Sequence, residues 1–220
     1  MNPLHAFDSG IALDTAGPGR VRGRTVPEWA NMVGPFGGIT AATLLHAVEL
    51  QPDRNGDPLA LTVNFLAPIA DGDFDIDLRA VRTNRSNQHW YIELSQEGEP
   101  KTSATAVFGH RRDTWSDTQT APPVVPAPED VHQDGFPPPV VWAKNYEMIY
   151  ARGGLPSPDA GANASSTTTV WVRHSPPRPL DFPALTALCD LFYPRVYLRR
   201  GQMLPAGTIS LNIYFHADRA

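Results

Sequence analysis

The sequence predicts an α+β fold built as two related units, each a helix with an antiparallel sheet, and three observations predict it. A glycine-led apolar stretch, Gly37-Gly38-Ile39-Thr40-Ala41-Ala42-Thr43-Leu44-Leu45, is followed by strand-like segments that end near Phe108. A second helix-like stretch, Leu185 to Phe192, leads in the same order to the strand-like Leu211 to Phe215. Between them, Pro122, Pro123, Pro126, Pro128, Pro137, Pro138 and Pro139 crowd a segment that suits neither a helix interior nor a central strand. The expected division is a first unit over 1–112, a proline-rich linker over 113–140 and a second unit over 141–220. The chain ends at Ala220, shortly after the second strand-like segment. About 40 residues of strand present in the first copy then have no counterpart, and the second unit is read as incomplete.

In the first unit, Ala41, Leu44, Leu45 and Val48 fall at i, i+3, i+4 and i+7, giving one apolar helix face, and small alanines allow close approach of a sheet. Leu61 to Phe65 is the first strand. Phe74, Ile76, Leu78 and Ala80 then alternate with Asp75, Asp77 and Arg79, and Trp90, Ile92 and Leu94 alternate with Tyr91, Glu93 and Ser95. This period of two marks strands with one wet face. Gly98 supplies a turn before a last strand from Thr102 to Phe108. A looser stretch from Gly153 through Pro156, Pro158, Gly161 and Ser166 reads as a surface loop, or alternatively as a flap over a binding site.

Composition excludes several function classes. The net charge of -5 carries no block of like charge, so no nucleic-acid footprint is expected. A single cysteine, Cys189, favours a reducing compartment. The start, Met1-Asn2-Pro3-Leu4, has neither a basic cluster nor an apolar run, and no apolar stretch approaches the roughly 20 residues that span a bilayer. The expectation is a soluble cytoplasmic protein. No Gly-x-Ser-x-Gly elbow, no Cys/His cluster at metal-ligand spacing and no phosphate-binding glycine loop occurs, so neither a metal nor a cofactor is expected.

The residues resemble one family. Trp29-Ala30-Asn31-Met32-Val33-Gly34-Pro35-Phe36-Gly37-Gly38, Phe65-Leu66-Ala67-Pro68-Ile69, Val170-Trp171-Val172-Arg173, Cys189-Asp190-Leu191-Phe192-Tyr193-Pro194, Gly207-Thr208-Ile209 and Phe215-His216 together look like bacterial acyl-CoA thioesterase II. That resemblance implies a double hotdog fold and cofactor-free hydrolysis of acyl-CoA thioesters. It also implies pairing of the units and further assembly as a homo-oligomer. By the same resemblance Asp190 and Thr208 hold and polarise the attacking water. The family's third group, a glutamine, falls on a later strand beyond Ala220, and Gln202 stands in the wrong segment to replace it. An alternative follows: a non-catalytic module that binds acyl groups or acyl-CoA. A third reading is a fragment whose strand at Leu211 to Phe215 leaves an unpaired edge.

Each candidate has a plainer reading beside the functional one. Asp190 sits on an apolar stretch, where a carboxylate needs partners, yet it could face solvent or pair with Arg195. Thr208 could simply begin a strand. Gly37 and Gly38 could expose backbone N–H groups to a substrate oxygen, or only permit close packing. His216 reads as a surface or core histidine, and Cys189 as a small core residue. Arg195, Arg199 and Arg200 could meet CoA phosphates, although cations at a helix end are the default. A hydratase, which in this fold pairs an Asp with a His, finds no such pairing near Gly37 or Asp190.

Overall fold

The computed structural model describes residues 4–132, 139–155 and 161–217. In chain order its elements are α1 (Ala6–Gly10), β1 (Asp14–Gly17), β2 (Arg20–Arg24), α2 (Gly37–Glu49), β3 (Asp57–Phe65), β4 (Asp73–Thr83), β5 (Asn87–Gln96) and β6 (Glu99–Gly109). There follow β7 (Tyr146–Arg152), β8 (Thr169–His174), α3 (Phe182–Leu188), α4 (Val196–Arg200) and β9 (Ser210–Tyr214). The described residues form two compact units. One takes in 1–112, 179–191 and 208–220; the other takes in 113–178 and 192–207.

In the first unit seven antiparallel strands lie in the order β1-β2-β4-β5-β6-β3-β9. The alternation read in β4 and β5 points Phe74, Ile76, Leu78, Trp90, Ile92 and Leu94 to one face, where they meet α2. Glu97 and Gly98 both take positive φ, 52° and 79°, forming the tight hairpin between β5 and β6 whose twist matches the strands. The helix is a core helix, as its apolar face and small alanines suggest, and its burial extends beyond that face: every residue from Gly38 to Leu45, together with Ala47 and Val48, is buried. Thr40 and Thr43 tolerate this because each hydroxyl donates back to a carbonyl one turn earlier, Phe36 O at 3.4 Å and Ile39 O at 2.8 Å.

The strand β9 pairs with β3, Ile213 opposite Leu61 and Leu211 opposite Val63. The segment expected to open a second sheet therefore extends the first. Phe182, Ile213 and Phe215 enter the same core as α2. Arg111 donates to Pro58 O at 3.0 Å and Phe215 O at 2.6 Å, and its guanidinium lies over the Phe182 ring. One cation thus ties β3, the end of β9 and the start of α3.

In the second unit β7 and β8 form a two-stranded antiparallel sheet, Met148 opposite Val172. Tyr193 donates to Gly153 O at 2.7 Å and Gly154 O at 2.8 Å, so the loop read after Gly153 is held at its start. Pro156 and Pro158 of that loop, Pro137 and Pro138 of the proline-rich segment, and Met1 to Pro3 lie outside the described residues. Among the described residues no helix is long and apolar enough to cross a membrane.

Candidate functional site

The site begins with how α2 starts. Trp29 is buried, donates from Nε1 to Ala6 O at 3.0 Å and stacks on Phe36, with ring centroids 6.4 Å apart. The turn from Asn31 to Gly34, closed by Asn31 N–H on Gly34 O at 2.8 Å, lets Phe36 N–H reach Trp29 O at 2.8 Å. Gly34 takes φ 67°, and a side chain there would strike Ile69 O. Phe36, so fixed, precedes the first helical residue, Gly37, and offers no side-chain cap. The first N–H groups of a helix lack intrahelical acceptors and need partners from elsewhere.

Asp190 supplies one. The helix expected over Leu185 to Phe192 is instead α3, Phe182–Leu188, capped at its start by Asp181 accepting from Ala184 N–H at 2.9 Å. Asp190 lies in the turn just after it, with its own N–H on Ala187 O at 3.3 Å. That displacement off the helix carries the carboxylate to the N-terminus of α2, where it accepts from Gly38 N–H. Thr208, two residues ahead of β9, donates its hydroxyl to Asp190 Oδ1 at 3.1 Å. Asp190, Thr208, Gly37 and Gly38 therefore meet at one place, all within the first compact unit.

The two glycines make the meeting possible. A Cβ on Gly37 would sit 2.5 Å from Asp190 Oδ2 and 3.3 Å from the Phe65 ring. A Cβ on Gly38 would overlap Ala187 O and the Phe36 ring. Close packing is thus what these glycines permit here, and it is what lets the Asp190 carboxylate approach the start of α2.

Burial pushes the Asp190 carboxyl up to about 6, against the lowering pull of the hydrogen bonds from Thr208 and Gly38. A carboxyl poised there is ionised at neutral pH yet basic enough to take a proton. Cys189, expected in the core, is exposed; desolvation of its sulfur first, and the neighbouring Asp190 charge second, still hold its thiol above the ordinary value. That argues against a thiolate nucleophile.

Of the three arginines weighed for phosphate binding, Arg200 is exposed and the other two are hydrogen-bonded within the second unit. Arg195 donates to Tyr193 O and Thr168 Oγ1 and stacks on the Tyr193 ring, and Arg199 donates to Ala164 O. The partners of Asp190 are Thr208 and Gly38. His216 is exposed at the end of β9. Among the described residues no cluster of His, Cys, Asp and Glu could hold a metal ion.

Phe65, which touches this place from the end of β3, was not singled out as a site residue from sequence. Its sequence signals are its place as the third apolar residue of the alternating Leu61, Val63, Phe65 set and as the first residue of the Phe65-Leu66-Ala67-Pro68-Ile69 motif, and neither marks it as a site residue.

The family model of the acyl-CoA thioesterase N-terminal domain matches residues 26–109, and that of the C-terminal domain matches 120–220. No curated protein matches the chain. Among solved structures, a hot dog fold protein from Alicyclobacillus acidocaldarius is 47% identical with a TM-score of 0.91, over 99% of this chain and 80% of its own. The tesB protein of Mycobacterium avium subs paratuberculosis is 17% identical with a TM-score of 0.77, over 99% and 82%. Acyl-CoA thioesterase II TesB2 of Mycobacterium marinum is 23% identical with a TM-score of 0.64, over 84% and 68%. The fold is the α+β double hotdog that the resemblance implied.

Proposed function

The chain belongs to the acyl-CoA thioesterase family, and from that premise we propose that it hydrolyses the thioester of an acyl-CoA to a free acid and CoA at Asp190. The observation that carries this reading is the convergence of a carboxyl raised to about 6, a hydroxyl 3.1 Å from it and a glycine-led helix N-terminus. A thioester carbonyl is already electrophilic and its thiolate leaves readily, so the protein must chiefly orient a water, accept its proton and stabilise the oxyanion.

Ionised Asp190 takes a proton as the water oxygen bonds to the carbonyl carbon. Thr208 donates to Oδ1, which leaves its oxygen lone pairs free to accept from that water and fix its direction. Gly38 N–H is held by the carboxylate, so the developing oxyanion falls to Gly37 N–H and the positive end of α2. As the carbonyl reforms the C–S bond breaks, and the thiolate recovers the proton from Asp190.

The test is thiol release from a short and a long acyl-CoA by the protein and by Asp190→Asn. Release should fall about 10²- to 10⁴-fold in a variant that keeps its fold. Equal release by the two would remove Asp190 from the chemistry, and acyl-CoA binding without release by the native chain would point to a binding module.

A further inference from the structure

Phe65 holds a place in this geometry that neither the family's water-binding groups nor the helix end accounts for. It is the last residue of β3, half-buried and packed against the core. Its Cζ and Cε1 lie 3.3 and 3.4 Å from the point a Gly37 Cβ would occupy, the point from which Asp190 Oδ2 stands 2.5 Å away. The ring edge, the carboxylate oxygen and the first helical residue thus border a single small volume. Phe65 also acts through its backbone, since its N–H donates to Ile209 O at 2.9 Å and so anchors the residue next to Thr208.

We propose that Phe65 is a positioning residue of this site: its ring fills the side of the Asp190 carboxylate next to Gly37 and holds that oxygen against the start of α2, while its backbone holds Thr208 in reach. This rests on the hydrolase reading above. The consequence is chemical as well as steric. With the ring present, water reaches the carboxylate from fewer directions and the group stays a competent base. With it gone, water enters, the ionised form is better solvated, and the carboxylate has room to turn away from Thr208.

Phe65→Ala and Phe65→Leu separate this role from general packing, because leucine keeps an apolar filler and both keep the backbone donor. Across pH 4 to 9, Phe65→Ala should lower kcat about 10-fold and move the acid limb of the kcat/KM profile down by about one pH unit, and Phe65→Leu should restore most of both. A ¹³C NMR titration of the Asp190 carboxyl, assigned by its loss in Asp190→Asn, reads the same displacement without turnover. A midpoint in folded Phe65→Ala equal to that of the native chain overturns the role of Phe65, whatever the rates. Absence of thiol release by the native chain instead sinks the hydrolase reading, whatever Phe65 does.

Discussion

Replacing Asp190 by asparagine should remove activity and, above neutral pH, raise stability. In the folded protein the carboxyl is raised from 3.8 to about 6, with burial as the largest cause. Between those two values the folded state binds a proton that the unfolded chain has already lost, so this group's contribution to stability falls as pH rises through the window and levels off above 6. The full displacement corresponds to about 3 kcal/mol, reduced to about 2 kcal/mol because the group keeps some solvent contact. Asparagine offers one oxygen where aspartate offers two, so it forfeits an acceptor for Gly38 or Thr208, a loss of about 1 kcal/mol. The net gain at pH 8 is about 1 kcal/mol, or about 2–4 °C in Tm for a chain of this size. At pH 4, where the native carboxyl is protonated, the advantage disappears and the lost acceptor dominates. Urea unfolding of both proteins at pH 4 and pH 8 measures the difference. A stability difference that is the same at both pH values would refute the claim that Asp190 is held in a desolvating site.

Other outcomes follow from the same contacts. Thr208→Val removes a hydrogen bond that favours the ionised carboxylate, so the acid limb of the rate profile should move above 6 while turnover falls about 10- to 100-fold, read from kcat/KM against pH. Gly38→Ala forces a methyl into Ala187 O and the Phe36 ring and should cost about 1–3 kcal/mol of stability by urea unfolding, whereas Gly72→Ala, with open space around it at φ 134°, reports backbone strain alone.

The parts of this fold that were legible in the sequence are those whose signal is local. The run from Gly37 to Leu45 announced α2, alternation announced β4 and β5, and Gly98 announced their next turn. The pair β1 and β2 went unseen because its evidence is long-range: Arg22 and Arg24 project from β2 to Asp75 and Asp73 on β4, at 3.0 and 2.7 Å. Only the pairing makes those charges a pattern. For β9 the period was visible but the partner was not, since no local feature of Leu211 to Phe215 says that β3 rather than a second sheet receives it. The end of α3 is not legible, because Leu188, Leu191 and Phe192 continue a helical apolar rhythm past the point where the chain turns. The same rhythm hides that Asp190 leaves the helix, which is what brings it to Gly38.

The site draws on both halves of the sequence, and the energetics explain why it must. Gly37 and Gly38 lie in the stretch matched by the N-terminal family domain, Asp190 and Thr208 in the stretch matched by the C-terminal one. A carboxyl raised to about 6 opposes folding once ionised, so something must hold it at the helix end. Phe182 at the start of α3, and Ile213 and Phe215 around the end of β9, are buried in the core that surrounds α2. Full burial of such side chains is worth about 1.5–3 kcal/mol each, more in total than the carboxylate costs. Thr208 and Asp190 are thus delivered by segments anchored through apolar contacts and through Arg111 beyond the site itself. The residues proposed for the chemistry can then be kept in an unfavourable place, because separate residues in the core hold them there.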